Sequence, residues 1–187
     1  MEEKILSAGK VCPGGILKVN SFLNHQLDCA FLSEVANEVS TLFKDEKITK
    51  ILTVEASGIA LAALIGAAMN VPAVFAKKHK TTNLAGDVYK TTVHSYTHGV
   101  DYTVVVEKAF LSPSDRVLLV DDFLANGKAL NGLIEIVGQS GASVVGAAIA
   151  IEKGFQGGGD SLREKGIRVE SLAIIDEMSD SEIKFRN

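Results

Sequence analysis

Several stretches of this chain are apolar from end to end, and helix-like stretches separate them. Residues 51–54, 71–76, 117–120 and 144–151 carry almost no polar side chain. A strand with one wet face alternates polar and apolar residues, whereas a strand apolar throughout is covered on both faces. The intervening segments read as helices. Asp28 is an acceptor suited to the free N–H groups of a helix start. After it Phe31, Val35, Val39 and Leu42 recur at helical spacing, widened by Leu32 and Phe43. Ser57 stands as the cap of a second helix, apolar nearly all round over 59–69 and therefore expected to be buried. Leu130, Leu133, Ile134 and Val137 mark a third, and a short one is expected near 161–165. Shorter strands are expected at 16–19 and 167–173, after a loop at 11–15. A β-hairpin is expected from 91–96 and 102–106 around His98-Gly99. This order predicts an α/β fold, with a mostly parallel central sheet and helices on both faces.

Such sheets bind ligands beyond the carboxyl ends of their strands. That rule directs attention to the residues after Val54, Ala76, Val120 and Ile151. Composition narrows the ligand. The 187 residues suit a single domain, 1–187, and 47% apolar content is enough for a core. Net charge is −4 with no basic run, which disfavours nucleic acid as a partner. Cys12 and Cys29 read as free thiols. The start, Met1-Glu2-Glu3-Lys4, has no apolar stretch behind it, so no signal peptide is expected. The longest apolar run, 59–69, falls short of the ~20 residues that span a bilayer. The expectation is a cytoplasmic protein with no membrane partner.

The segment Asp121-Asp122-Phe123-Leu124-Ala125-Asn126-Gly127-Lys128-Ala129 carries the most chemistry. Two acids end a buried strand, small residues follow, and a helix begins. A helix start aims backbone N–H groups and a dipole at an anion. Gly127 permits close approach and an unusual φ. The acids can accept from vicinal hydroxyls or hold a cation. Together these features describe a sugar-phosphate site. A polar-capped turn would explain Asn126 and Gly127 but not two acids behind Val117-Leu118-Leu119-Val120. Neither the dinucleotide fingerprint nor the P-loop spacing is present.

Residues 117–129, VLLVDDFLANGKA, resemble the PRPP (5-phosphoribosyl 1-diphosphate) signature of the type I phosphoribosyltransferases. The resemblance implies that family's fold, with a small hood contributed by the N-terminal segment and the C-terminal part. It assigns the ribose hydroxyls to Asp121 and Asp122 as catalytic residues. It assigns the 5-phosphate to Ala125, Asn126, Gly127, Lys128 and Ala129. Ala56, Ser57 and Gly58 resemble the family's pyrophosphate loop, and Lys77 and Lys78 the start of its mobile hood loop. The segments 17–26 and 151–156 are similar to those of bacterial members that use xanthine, which implies that Leu17, Asn24 and Lys153 contact the base. Leu17 by periodicity alone is a core strand residue, Glu152 a strand-end surface charge, and Phe155 a core residue.

The implied reaction moves the phosphoribosyl group of PRPP to xanthine. Guanine or hypoxanthine is the alternative acceptor, and a PRPP- or purine-sensing regulator the alternative role. Mg²⁺ is implied, carried with PRPP and pyrophosphate and with no direct protein ligand, as is a homodimer. Ala125 stands where some purine-using members place an acid. An alanine moves no proton, so another group takes it or the base arrives ionised, which suits xanthine, a stronger acid than guanine or hypoxanthine.

Overall fold

Val117, Leu118, Leu119 and Val120 are each 0% exposed, and their alternation explains the two-sided core. Val117 and Leu119 belong to one apolar cluster, Leu118 and Val120 to another. Two consecutive residues of a strand face opposite ways, so an unbroken apolar run needs cover on each side.

The computed structural model describes residues 1–79, 86–95, 100–179 and 182–186. In chain order its helices and strands are α1 (Glu2–Ala8), β1 (Lys10–Cys12), β2 (Ile16–Lys18), α2 (Cys29–Leu42), β3 (Lys50–Val54), α3 (Gly58–Met69), β4 (Ala73–His79), β5 (Val88–Ser95), β6 (Val100–Glu107), β7 (Arg116–Leu124), α4 (Lys128–Ser140), β8 (Ser143–Lys153), α5 (Gly158–Glu164), β9 (Val169–Ser171), β10 (Ile174–Met178) and β11 (Ile183–Phe185). The main sheet runs β11-β10-β8-β7-β3-β4-β6-β5, with β9 also on β8; β1 and β2 pair apart from it. Its centre, from β10 through β8, β7 and β3 to β4, is parallel. The β4–β6, β6–β5 and β10–β11 pairs are antiparallel. The expected α/β architecture is therefore present, with α2 and α3 contributing to one cluster and α4 and α5 to the other.

Asp28 caps α2 as expected, accepting from the Phe31 backbone N–H at 3.2 Å. The buried stripe of α2 is Leu32, Val35, Ala36 and Val39, while Leu42 is exposed, so the face is rotated from the one expected. Several strands are longer than expected, and two of them bear on the site. β4 continues through Lys77, Lys78 and His79 because β6 pairs with them. β7 continues through both acids to Leu124 because β8 runs beside it that far. The stretch 167–173 keeps only the short β9, and α1, β10 and β11 had no clear sequence signal. The hairpin of β5 and β6 is present; its tip, His98-Gly99, and Lys80 lie outside the described residues.

The uniformly apolar α3 is not buried all round. Leu61, Ala62, Ile65 and Gly66 face inward, while Ala63, Ala67 and Ala68 are exposed. Apolarity on every side predicted burial on every side, and the outward face consists of alanines, whose small side chains make exposure inexpensive.

Candidate active site

The acids sit at the covered end of β7, each 6% exposed. Asp122 accepts a hydrogen bond from Ser57 Oγ at 2.8 Å. Ser57 occupies the N-cap position of α3 but makes no side-chain cap. Its hydroxyl turns to the acid, which corrects the expected capping role. Asp121 Oδ1 accepts the backbone N–H of Asp122 at 3.0 Å. Burial, then the negative charge of Asp122, pushes the Asp121 carboxyl well above the ordinary carboxylate value, against a smaller pull from Lys78. Tyr102 on β6 belongs to the same cluster: burial, and then the charge of Asp121, raises its phenol. Lys78 Nζ lies 5.2 Å from the Tyr102 ring centroid. Tyr102 was missed in the sequence, where only its place in a hairpin strand was visible.

A carboxyl whose value is raised by folding costs stability as the pH climbs above the ordinary carboxylate value, in full above the raised one, and the cost is gone only once the pH falls back to the ordinary value. Asp121→Asn removes the cost. Its Tm is expected to exceed that of wild type at pH 7, by about 2–4 °C for each kcal/mol relieved. The gap should close on acidification. Thermal melts from pH 7 to pH 4 check this; a lower Tm for Asp121→Asn at pH 7 contradicts it.

After Leu124 the chain turns through residues 125–127 into α4. Gly127 is buried and has φ 78°, a conformation that side chains resist. Asn126 Oδ1 accepts the Lys128 backbone N–H at 3.2 Å, and Asn131 Nδ2 donates to the Gly127 carbonyl at 2.7 Å. The turn also rests on the start of α5. The Gly158 backbone N–H donates to the Ala125 carbonyl at 3.1 Å. A Cβ on Gly158 would lie 2.2 Å from that carbonyl oxygen and 2.5 Å from the Gly127 nitrogen. Gly158 was missed too; the run Gly157-Gly158-Gly159 was the available signal.

The segment 56–58 joins β3 to α3 beside the acids. Glu55 ties it to β4, its Oε1 accepting from the Lys78 backbone N–H at 2.6 Å. Lys77 and Lys78, expected together in a loop, are strand residues that part company. Lys78 faces Asp121 and Tyr102. Lys77 lines a cleft of about 1030 Å³ with Phe75, His79, Asp87 and Phe110, and neither acid is in its wall. The candidate site lies apart from that cleft, at the β7 end.

Leu17, on β2, is 6% exposed and shares a cluster with Phe123 of β7. Asn24 is exposed at the end of the turn Asn20–Asn24, which buried Phe22 and Leu23 anchor. Lys153 ends β8 beside the acids' strand, with Nζ 5.9 Å from the Phe123 ring centroid. Partial burial lowers its ammonium value. So Lys153 lies beside Phe123, and Leu17 belongs to the apolar cluster that Phe123 packs against. Two neighbours depart from expectation. Phe155 is 48% exposed rather than core. Glu152 is 0% exposed rather than a surface charge, and Arg163 grips it at 2.9 and 2.7 Å. Arg163 also meets Asp160, and Arg186 links Asp160 to Asp176, so one ionic chain joins β8, α5 and β10.

Residues 19–178 match the family model described as phosphoribosyl transferase domain. The chain is 54% identical over 188 residues to a xanthine phosphoribosyltransferase of Lachnoclostridium phytofermentans, covering 100% of this chain and 97% of that one. A protein of the same name from Alkaliphilus metalliredigens is 52% identical, covering 100% and 93%. Among solved structures, the Giardia lamblia APRTase complexed with 9-deazaadenine superposes with TM-score 0.78 at 27% identity, covering 92% and 96% of the two chains. The acids, the glycine turn and the parallel sheet that presents them are thus set in a shared frame, and the chain belongs to the phosphoribosyl transferase family.

Proposed function

We propose that this protein transfers the phosphoribosyl group of PRPP to xanthine, yielding xanthosine 5'-monophosphate and pyrophosphate. The observation that carries this reading is the pair of buried acids beside the Gly127 turn, in a chain about half identical, over its full length, to proteins named xanthine phosphoribosyltransferase. Asp121 and Asp122 orient the ribose through its hydroxyls and soften the positive charge that grows at C1. Residues 125–129 hold the 5-phosphate with backbone N–H groups. Ala56, Ser57 and Gly58 take the pyrophosphate, and Lys78 is nearer to that charge than Lys77. A purine ring nitrogen forms the new bond to C1 as the bond to pyrophosphate breaks. Catalysis is then mostly positioning and charge stabilisation.

Mg²⁺ fits as an ion carried by the substrate. The acids offer hard oxygen chemistry beside the ribose. When bound, the ion supplies positive charge to the leaving pyrophosphate. A single domain spans 1–187, with β1–β2 and the segment after β9 contributing a hood. The exposed alanines of α3, and Phe75 of β4 at 40% exposure, are apolar surface that supports a homodimer. The free thiols Cys12 and Cys29 support a reducing compartment, the cytoplasm. Among the described residues no helix is long and apolar enough to cross a membrane.

Lys153, with Leu17 and Asn24, reads the base. An ammonium has donors only, so it favours the C6 oxygen of xanthine over the amino group of adenine. Lys153→Ala is expected to raise KM for xanthine about tenfold or more, the worth of a charge-assisted hydrogen bond of roughly 1.5–3 kcal/mol. Discrimination against adenine should weaken while PRPP affinity holds. Steady-state kinetics with both bases, and calorimetry with PRPP, measure this; unchanged xanthine kinetics would remove Lys153 from the base site.

A further inference from the structure

Among the described residues, Thr53 Oγ1 alone is a buried side-chain polar atom without a hydrogen-bond partner. Thr53 is 1% exposed, near the end of β3. A hydroxyl withdrawn from water and left unmatched costs free energy. Valine would fill the same space without that cost, so this position holds a hydroxyl at the expense of the free protein's stability.

Its surroundings say what the hydroxyl can serve. A Cβ built on Gly58 would lie 2.1 Å from Thr53 Oγ1 and 3.4 Å from Asp121 Oδ1. The hydroxyl and a carboxylate oxygen of Asp121 therefore both lie close to the bare Cα of the first residue of α3. Polar groups near Asp121 among the described residues include its neighbour Asp122 on β7, Lys78 on β4 and Tyr102 on β6, with Ser57 at the start of α3 committed to Asp122.

We propose that Thr53 is a positioning residue for the transfer step: with substrate bound, its hydroxyl donates to Asp121 and holds that carboxylate on the ribose. The inference rests on the reading of Asp121 as a ribose acid. Both burial and Asp122 oppose the charged form of Asp121, and a neutral donor supports that form without adding a second positive charge beside the ribose cation. The stability lost in the free protein is recovered only where the reaction needs it.

Wild type, Thr53→Val and Thr53→Ser are compared in steady-state assays with xanthine, PRPP and Mg²⁺, and in thermal melts. Thr53→Val is expected to lose about tenfold or more in kcat, the worth of one hydrogen bond to a charged group. Its KM for xanthine should stay within about twofold of wild type on the same scale, and its Tm should equal or exceed that of wild type. Thr53→Ser should recover most of the rate. Wild-type kcat in Thr53→Val would overturn the inference, as would equal losses in Thr53→Val and Thr53→Ser, which would make the effect one of shape. A lower Tm for Thr53→Val would overturn it too, because the hydroxyl would then be bonded in the free protein. If wild type transfers to no purine, the site reading and this inference fall together; an active wild type matched by Thr53→Val sinks the inference alone.

Discussion

Gly158→Ala is expected to lower kcat/KM for PRPP by about 100-fold or more, although Gly158 has no assigned contact with substrate. The new Cβ would meet the Ala125 carbonyl oxygen at 2.2 Å and the Gly127 nitrogen at 2.5 Å. Both are backbone atoms, so no side chain can swing aside. The turn must move, or α5 must withdraw and break the bond from Gly158 N–H to Ala125 O. A displacement of about 1 Å in groups that position a substrate costs on the order of 100-fold in rate. The fold should survive, because overpacking of this kind costs about 1–3 kcal/mol. Gly157→Ala is the control. Gly157 has φ 72° and open space where a Cβ would stand, so its alanine is strained but strikes nothing. It should lose about 1 kcal/mol of stability and keep its PRPP kinetics. Equal kinetics for Gly158→Ala and wild type would show that the turn does not depend on α5.

Arg163→Ala is expected to cost about 3–5 kcal/mol of stability, as breaking a buried ion pair does when one charge is left behind. Glu152 is 0% exposed, and besides Arg163 only Ser171 Oγ among described side chains bonds to it. For a chain of this length that loss lowers Tm by roughly 6–20 °C. Removing both charges should restore much of it: Glu152→Leu/Arg163→Met replaces the pair with apolar groups, and such replacements are often neutral. Tight packing of Gly159 against Glu152 limits the recovery, since a Cβ there would stand 2.0 Å from Oε1. Melts of the single and double variants separate the cases. A single variant as stable as wild type would mean that water reaches Glu152 freely.

These residues also mark where the sequence stopped being legible. The runs 51–54, 117–120 and 144–151 forced a two-sided sheet, because neighbouring strand residues face opposite ways and both need cover. Periodicity gave α2 and α4 for the same reason. The acids and the Gly127 turn were legible because two carboxyls at the end of a buried strand have few other uses. Glu152 was not, since its partner Arg163 is 11 residues away and comes near only after α5 folds back. An isolated Glu after Ile151 looks like a surface charge until that return is known. Gly158 needed the same return. Lys77 and Lys78 looked alike as neighbours, and only the pairing of β4 with β6 sent one toward the acids and the other toward the cleft. The outer alanines of α3 show the reverse limit, where apolarity alone does not say which face the sheet will cover.

The central claim is tested most directly by product identification. Purified protein is incubated with PRPP, Mg²⁺ and an equimolar mixture of xanthine, guanine, hypoxanthine and adenine, and the nucleotides are separated and weighed by mass spectrometry. The account predicts xanthosine 5'-monophosphate as the main product, with one pyrophosphate released for each nucleotide formed and no adenosine 5'-monophosphate. Adenosine 5'-monophosphate as the main product, or PRPP bound with no nucleotide formed from any base, would contradict it.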